Sequence, residues 1–345
     1  MVDHPWTPFH DVIVMFLPDI LNRPDTFMPL ILLLMVLVIN IYTGPLTVLS
    51  NSKWYPFNLL KKFIGWCDLK LNRDNRSPLD RLIRGGITSI TVLLLSGLLG
   101  YIITLLSQNI PLAWIFEVVL LLTLIDQSSI YKKILNIYKS LKKNSLASAR
   151  QGIADLTTET PDKMDSFSIA RTAIEILATS LITRLLAPVF WYVLFGAIGI
   201  IIYHSITVVN IKIGRNTARY KDFGFIIKHL NAALLFLPSL LTGQLIVIAS
   251  LFVPRAAPIK SYKNMIKYTD KYHEFNLGLA ISTFAGALDI TLGGPKASSK
   301  KTKKEPWIGD GTAKATFSDI RRGLFLFSTV CLINGLLIAT IILIK

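Results

Sequence analysis

From Leu324 to Ile344 the chain runs without a single charged residue. A stretch of about 20 apolar residues is what an α-helix needs to cross a hydrocarbon core of about 30 Å. Comparable stretches recur at 27–49, 87–106, 111–125, 185–211 and 234–253. In lipid, backbone polar groups must be satisfied within the segment, and no period-2 pattern competes, so helices are expected and open sheets are excluded. The expected fold class is all-α: a polytopic helical membrane protein of about six transmembrane spans, with room for re-entrant segments. Residues 1–345 read as one integral-membrane domain. The segment 277–292 is apolar but short and interrupted by glycine, which fits a re-entrant or packed element better than a crossing.

With 52% hydrophobic residues and a mean hydropathy of +0.52, no large soluble domain is expected. The net charge of +16 raises the question of nucleic acid, but the positive residues sit between the apolar runs. Loops facing the cytoplasm favour Lys and Arg, so 51–84, 126–184 and 254–323 are expected to be cytoplasmic, with both termini outside. The expected partner is membrane lipid, and nucleic acid is not expected. One loop resists: Lys212, Arg215, Arg219, Lys221 and Lys228 would lie outside. Either the charge rule fails there, or the flanking spans are hairpins that return the loop inside.

Within the first basic loop, Phe57, Leu60, Ile64, Cys67 and Leu71 share a helical face. Such a helix could lie on the membrane surface or pack against the spans. Residues 131–143 and 166–183 also read as helical, with Ser166 and Ser168 as candidate N-caps. The run KASSKKTKK at 296–304 reads as a solvated loop. The N-terminus lacks a basic stretch ahead of an apolar core and does not read as a cleaved signal. Cys67 and Cys331 are far apart, which argues against a disulfide framework, and the five histidines show no metal-ligand spacing, so no metal site is expected from them. His204 lies in a span, where an ionisable group draws functional suspicion.

Two blocks carry more specific information. The first holds Arg171, Glu175, Ala178, Ala187-Pro188, Tyr203, Gly214, Tyr220, Gly224 and Leu237-Pro238. The second is GALDITLGGP, from Gly286 to Pro295, followed by PWIGD at 306–310 and Asp319-Ile320. In this order, on a multi-span background, they resemble the adenosylcobinamide-phosphate synthase family of cobalamin biosynthesis (CobD/CbiB). The resemblance implies a multi-pass protein of the bacterial inner (plasma) membrane. It also implies an amide ligation joining an aminopropanol, or its phosphate, to adenosylcobyric acid, with ATP and Mg²⁺, and a corrinoid or other cobalamin-pathway proteins as partners.

The chain reads as a divergent member. Where the family has AEN it has Ala178-Thr179-Ser180; where the family pairs Asp residues it has Asn231-Ala232; and Ile281 stands in place of a Glu. By the resemblance, the candidate catalytic residue is Glu175, and the candidate substrate-binding residues are Asn276, Gly293, Gly294, Trp307, Asp310 and Asp319. Five of these have a plainer reading: a paired structural carboxylate for Glu175, a chain reversal for Gly293-Gly294, and docking at the membrane interface for Trp307 and Asp310. The alternative to the ligase reading is a non-catalytic regulatory or corrinoid-binding membrane protein, like the AmpE branch of the same superfamily.

Overall fold

The computed structural model describes residues 27–46, 55–110, 112–157, 159–295 and 305–344. The N-terminal reading, the end of the first expected span and the 296–304 loop lie outside them. The described chain is helical. Five stretches are long and apolar enough to cross a membrane: Pro78–Asn109, Trp114–Lys142, Ser166–Ile213, Phe225–Ser250 and Phe317–Ile344.

Helix α1 (Phe27–Thr43) is followed by α2 (Pro56–Leu71) and α3 (Pro78–Asn109). Helix α2 buries Phe57, Ile64 and Cys67 while Trp66 and Leu69 stay exposed. It therefore packs on the bundle with one face and leaves an apolar rim on the other. Helix α3 reverses the pattern of a soluble helix. Gly85, Gly86, Ser89, Val92, Ser96 and Gly100 are buried, whereas Ile83, Ile87, Ile90, Leu94, Leu98 and Leu105 are exposed. Large apolar residues facing outward and small ones facing inward are what helices packed within lipid require. The backbone at Phe223 sits so close to Gly85 that a Cβ there would lie 1.9 Å from its carbonyl oxygen.

After α4 (Trp114–Leu124) come α5 (Ser128–Lys142) and α6 (Leu146–Ala154). Helix α7 (Ser166–Ser180) starts where the sequence places it, but its cap is Asp165, whose carboxylate accepts from Ser168 N at 2.7 Å. This corrects the choice of Ser166 or Ser168: both lie inside the first turn, one and three residues after the cap. A π-helical turn, Leu181–Leu186, joins α7 to α8 (Ala187–Ile213).

The stretch 185–211 is not a single crossing. Gly196 has φ 58° and ψ −145°, which breaks α8 in two. Tyr203 Oη donates to Thr183 O at 2.9 Å, and a Cβ at Gly199 would meet Trp191 O at 2.2 Å. The arms are antiparallel, so the chain returns to the side it left. The loop after α8 accordingly lies against the 55–84 segment. Lys212 donates to Lys61 O, Tyr220 Oη donates to Asp68 Oδ2 at 3.0 Å, and Arg219 pairs with Asp68 at 3.4 Å. The basic loop that resisted the charge rule thus shares a side with the 55–84 segment; the hairpin expected of both flanking spans is found in the one before the loop, whereas the one after it is the single helix Phe225–Ser250. His204, on the returning arm, packs edge-on against Phe57 with ring centroids 4.4 Å apart.

Helix α9 (Phe225–Ser250) carries Pro238 within it. The polar segment after it holds a further helix, α10 (Pro258–Tyr268), which buries Ser261, Asn264 and Tyr268. Helix α11 (Phe275–Leu288) is buried nearly throughout. It is a packed element rather than a lipid-facing span. The two-residue strands β1 (Leu292–Gly293) and β2 (Trp307–Ile308) pair antiparallel, and α12 (Phe317–Ile344) closes the chain.

Two outcomes test this architecture. In a background with Cys67 and Cys331 replaced by serine, Lys62→Cys and Lys221→Cys are expected to react with a membrane-impermeant maleimide from one face of oriented vesicles, and Gln108→Cys from the other. Labelling of 62 and 221 from opposite faces would contradict the hairpin. Gly196→Ala meets no atom within 4 Å, so its whole cost is backbone strain, roughly 1–3 kcal/mol. The expected readout is a lower thermal midpoint in detergent with an unchanged helical signal.

Candidate functional site

Arg171 and Glu175 lie one turn apart on α7, and residues four apart share a helix face. Both reach the segment 289–315. Glu175 is buried, 6% exposed, and its Oε1 accepts from the backbone N–H of Gly293 at 2.7 Å. A hydrogen bond to a charged group contributes roughly 1.5–3 kcal/mol, so the carboxylate pins the start of the ribbon to α7. Arg171 Nη1 donates to Ala313 O at 2.6 Å, and its guanidinium lies 5.3 Å from the centre of the Trp307 ring. The cation thus grips the ribbon's other strand and the chain beyond it.

The ribbon is two residues long because its neighbours continue the bonding by other means. Gly294 N donates to Pro306 O at 3.2 Å and Thr291 N donates to Thr312 O at 2.9 Å. Thr291 Oγ1 adds a bond to Gly311 O at 2.6 Å. Gly293 and Gly294 have φ of 73° and 82°, and the Trp307 ring occupies the space a side chain at 294 would fill. Trp307 itself is 42% exposed and offers an aromatic surface beside the Arg171 cation.

The acidic candidates are each engaged. Asp310 accepts from Lys267 Nζ at 2.9 Å and from Tyr268 Oη. These two hydrogen bonds, the tyrosine's the larger, hold its carboxyl below the usual range. Asp319 accepts from Thr316 N at 2.9 Å and from Arg322 at 3.2 Å, so it caps α12. Arg322 extends the tie to Leu288 O and Arg255 O. Asn276 sits at the opposite end of α11 from the ribbon. It donates to Ala232 O at 2.7 Å and accepts from Ser239 at 3.3 Å, joining α11 to α9.

The structure therefore brings Glu175, Gly293, Gly294 and Trp307 together, places Asp310 on the 309–312 turn that follows β2, and leaves Asn276 apart. Sequence reasoning did not single out Lys267 and Tyr268, because α10 was hidden in a polar stretch; its helical period was the available signal. Arg171 stood in the first block but was not weighed as a site residue.

Among the described residues, no three His, Cys, Asp or Glu side chains stand close enough to hold a metal ion. Glu175, Asp310 and Asp319 already accept from protein donors. These residues do not fit a cage for Mg²⁺-bound nucleotide. What the site offers is the Trp307 ring with the Arg171 cation beside it.

The sequence matches the family described as CobD/Cbib protein over residues 33–327. It is 30% identical over 316 residues to "Cobalamin biosynthesis protein CobD" of Brucella melitensis biotype 1, covering 90% of this chain and 96% of that protein. A protein of the same name from Sinorhizobium sp is 28% identical over 306 residues, covering 88% of this chain and 94% of its own length. Another, from Rhizobium meliloti, is 25% identical over 308 residues, covering 88% and 93%. No solved structure matches this chain.

Removing the buried carboxylate separates its charge from its hydrogen bond. Glu175→Ala leaves the Gly293 N–H unsatisfied at a cost of roughly 1–3 kcal/mol, and faster hydrogen exchange at the Gly293 amide is expected. Glu175→Gln retains an acceptor and should exchange at close to the wild-type rate. Equal exchange in all three proteins would show that the bond does not hold the ribbon.

Proposed function

This chain belongs to the CobD/CbiB family, and we propose that it serves cobalamin biosynthesis at the step joining an aminopropanol, or its phosphate, to adenosylcobyric acid by an amide bond. The observation that supports this reading is the convergence of two distant sequence blocks on one place. Arg171 and Glu175 come from one block and the ribbon from the other, and they meet through a 2.7 Å hydrogen bond and a cation over an aromatic ring. Each block on its own is a short pattern; their meeting gives the shared residues a common task.

In this reading the chain resides in the bacterial inner membrane and its basic side faces the cytoplasm, where the water-soluble substrates are. The described residues bind and orient the corrinoid acid. Trp307 supplies an aromatic surface, and Arg171 beside it supplies positive charge toward a carboxylate. ATP and Mg²⁺ belong to the family's reaction, but the acidic groups described here do not make a site for them. The proposed role of this face is therefore substrate positioning, which can by itself lower a barrier substantially.

The test is expression in a bacterium whose own cobD is deleted. Cobalamin-dependent growth is expected to return, with cobyric acid converted to its amidated product in mass-spectrometric profiles. Trp307→Ala is expected to lower product formation by up to roughly tenfold, the equivalent of ~1.4 kcal/mol of lost contact. Full membrane expression with no amidated product would overturn the proposal and favour a non-catalytic, corrinoid-binding role.

A further inference from the structure

A second site stands at the hairpin tip, away from the ribbon. A cavity of about 500 Å³ opens where α1, α3, α4 and the break in α8 meet. That volume lies within the range of small-molecule sites, roughly 300–1,000 Å³. Glu117 of α4 lines it and is only 6% exposed. Its Oε1 accepts from Tyr192 Oη and its Oε2 from Ser107 Oγ, each at 2.8 Å.

Those hydroxyls satisfy hydrogen bonds but bring no charge. None of the described residues lining the cavity is a Lys, Arg or His. A carboxylate removed from water costs several kcal/mol unless a positive charge joins it, and intramembrane ionisable groups mark binding or transport sites by default. The other walls include Leu32, Trp114 and Phe195. Met28 and Phe195 at the rim are 59% and 53% exposed, so the mouth is lined by apolar side chains on the outer surface of the bundle. Aromatic faces near the carboxylate favour a cation further.

We infer that this cavity binds the ammonium group of an amphiphile, with the charge at Glu117 and the apolar tail leaving past Met28 and Phe195. The chemistry is shared by two sources: the ethanolamine headgroup of a membrane lipid and a free long-chain amine. The site does not depend on the corrinoid role proposed above.

The experiment has one arm for each source. The purified full-length protein is delipidated and offered phosphatidylethanolamine or phosphatidylglycerol in native mass spectrometry. In parallel, it is titrated by calorimetry with octylammonium or, as a neutral control, octanol. Wild-type protein is expected to retain phosphatidylethanolamine over phosphatidylglycerol, to bind octylammonium saturably, or both; the active arm identifies the source. Glu117→Gln, which keeps hydrogen-bonding groups for Tyr192 and Ser107, should weaken amine binding at least tenfold while leaving octanol unchanged. Val193→Trp keeps the carboxylate but fills the cavity, and should abolish binding without relying on the folding of the first variant. No amine binding in either arm, or equal binding by wild type and both variants, would overturn the inference.

Discussion

Helices surrounded by lipid gain little by hiding one apolar side chain behind another, so their contacts must come from close backbone approach and from polar groups with nowhere else to bond. Helix α3 shows the first device. Its glycine and serine face lets the chain at Phe223 and Ile198 come within reach of its backbone, and its serine hydroxyls return to carbonyls one turn earlier at 2.6–2.8 Å. The large residues are then free to face outward. Tyr203 and Tyr192 show the second device, each reaching from one element to a fixed acceptor on another.

The same economy governs the carboxylates. Glu175, Asp68, Asp310 and Asp319 each tie separate segments together or cap a helix. The acids in this frame have structural partners. The basic residues are placed differently. Arg171 and Arg322 act through backbone carbonyls and an aromatic ring as much as through carboxylates. That leaves the chain around the ribbon held in shape with positive charge to spare.

Much of this was legible in the residues. Hydropathy located α3, α9 and α12, and period located α5 and α7, because those signals are local. The reversal at Gly196 was not visible as such, since both arms are apolar and a glycine within an apolar run reads the same whether the chain passes straight or turns. The charge on the loop after α8 hinted at it, and the proline and glycines within the run allowed it. Helix α10 escaped because its exposed lysines outweigh its buried face. For the site, motif spacing pointed to Glu175, Gly293 and Trp307, but spacing carries no distance. It could not tell that Asn276 stands at the far end of α11 or that Asp310 is engaged by Tyr268.

Helix α7, the π turn and the first arm of α8 form one continuous rod. Glu175 holds the ribbon on it, and Tyr192, 17 positions later, lines the cavity at the hairpin tip. At 1.5 Å per residue the two stand about 25 Å apart along a shared axis. The π turn between them has one residue more per hydrogen-bonded loop than the flanking helix, a feature that recurs at functional positions. A shift or rotation of that rod at one end is therefore a shift at the other. A ligand that displaced the rod at the cavity would carry that displacement toward the ribbon, and by linkage any such coupling would be reciprocal.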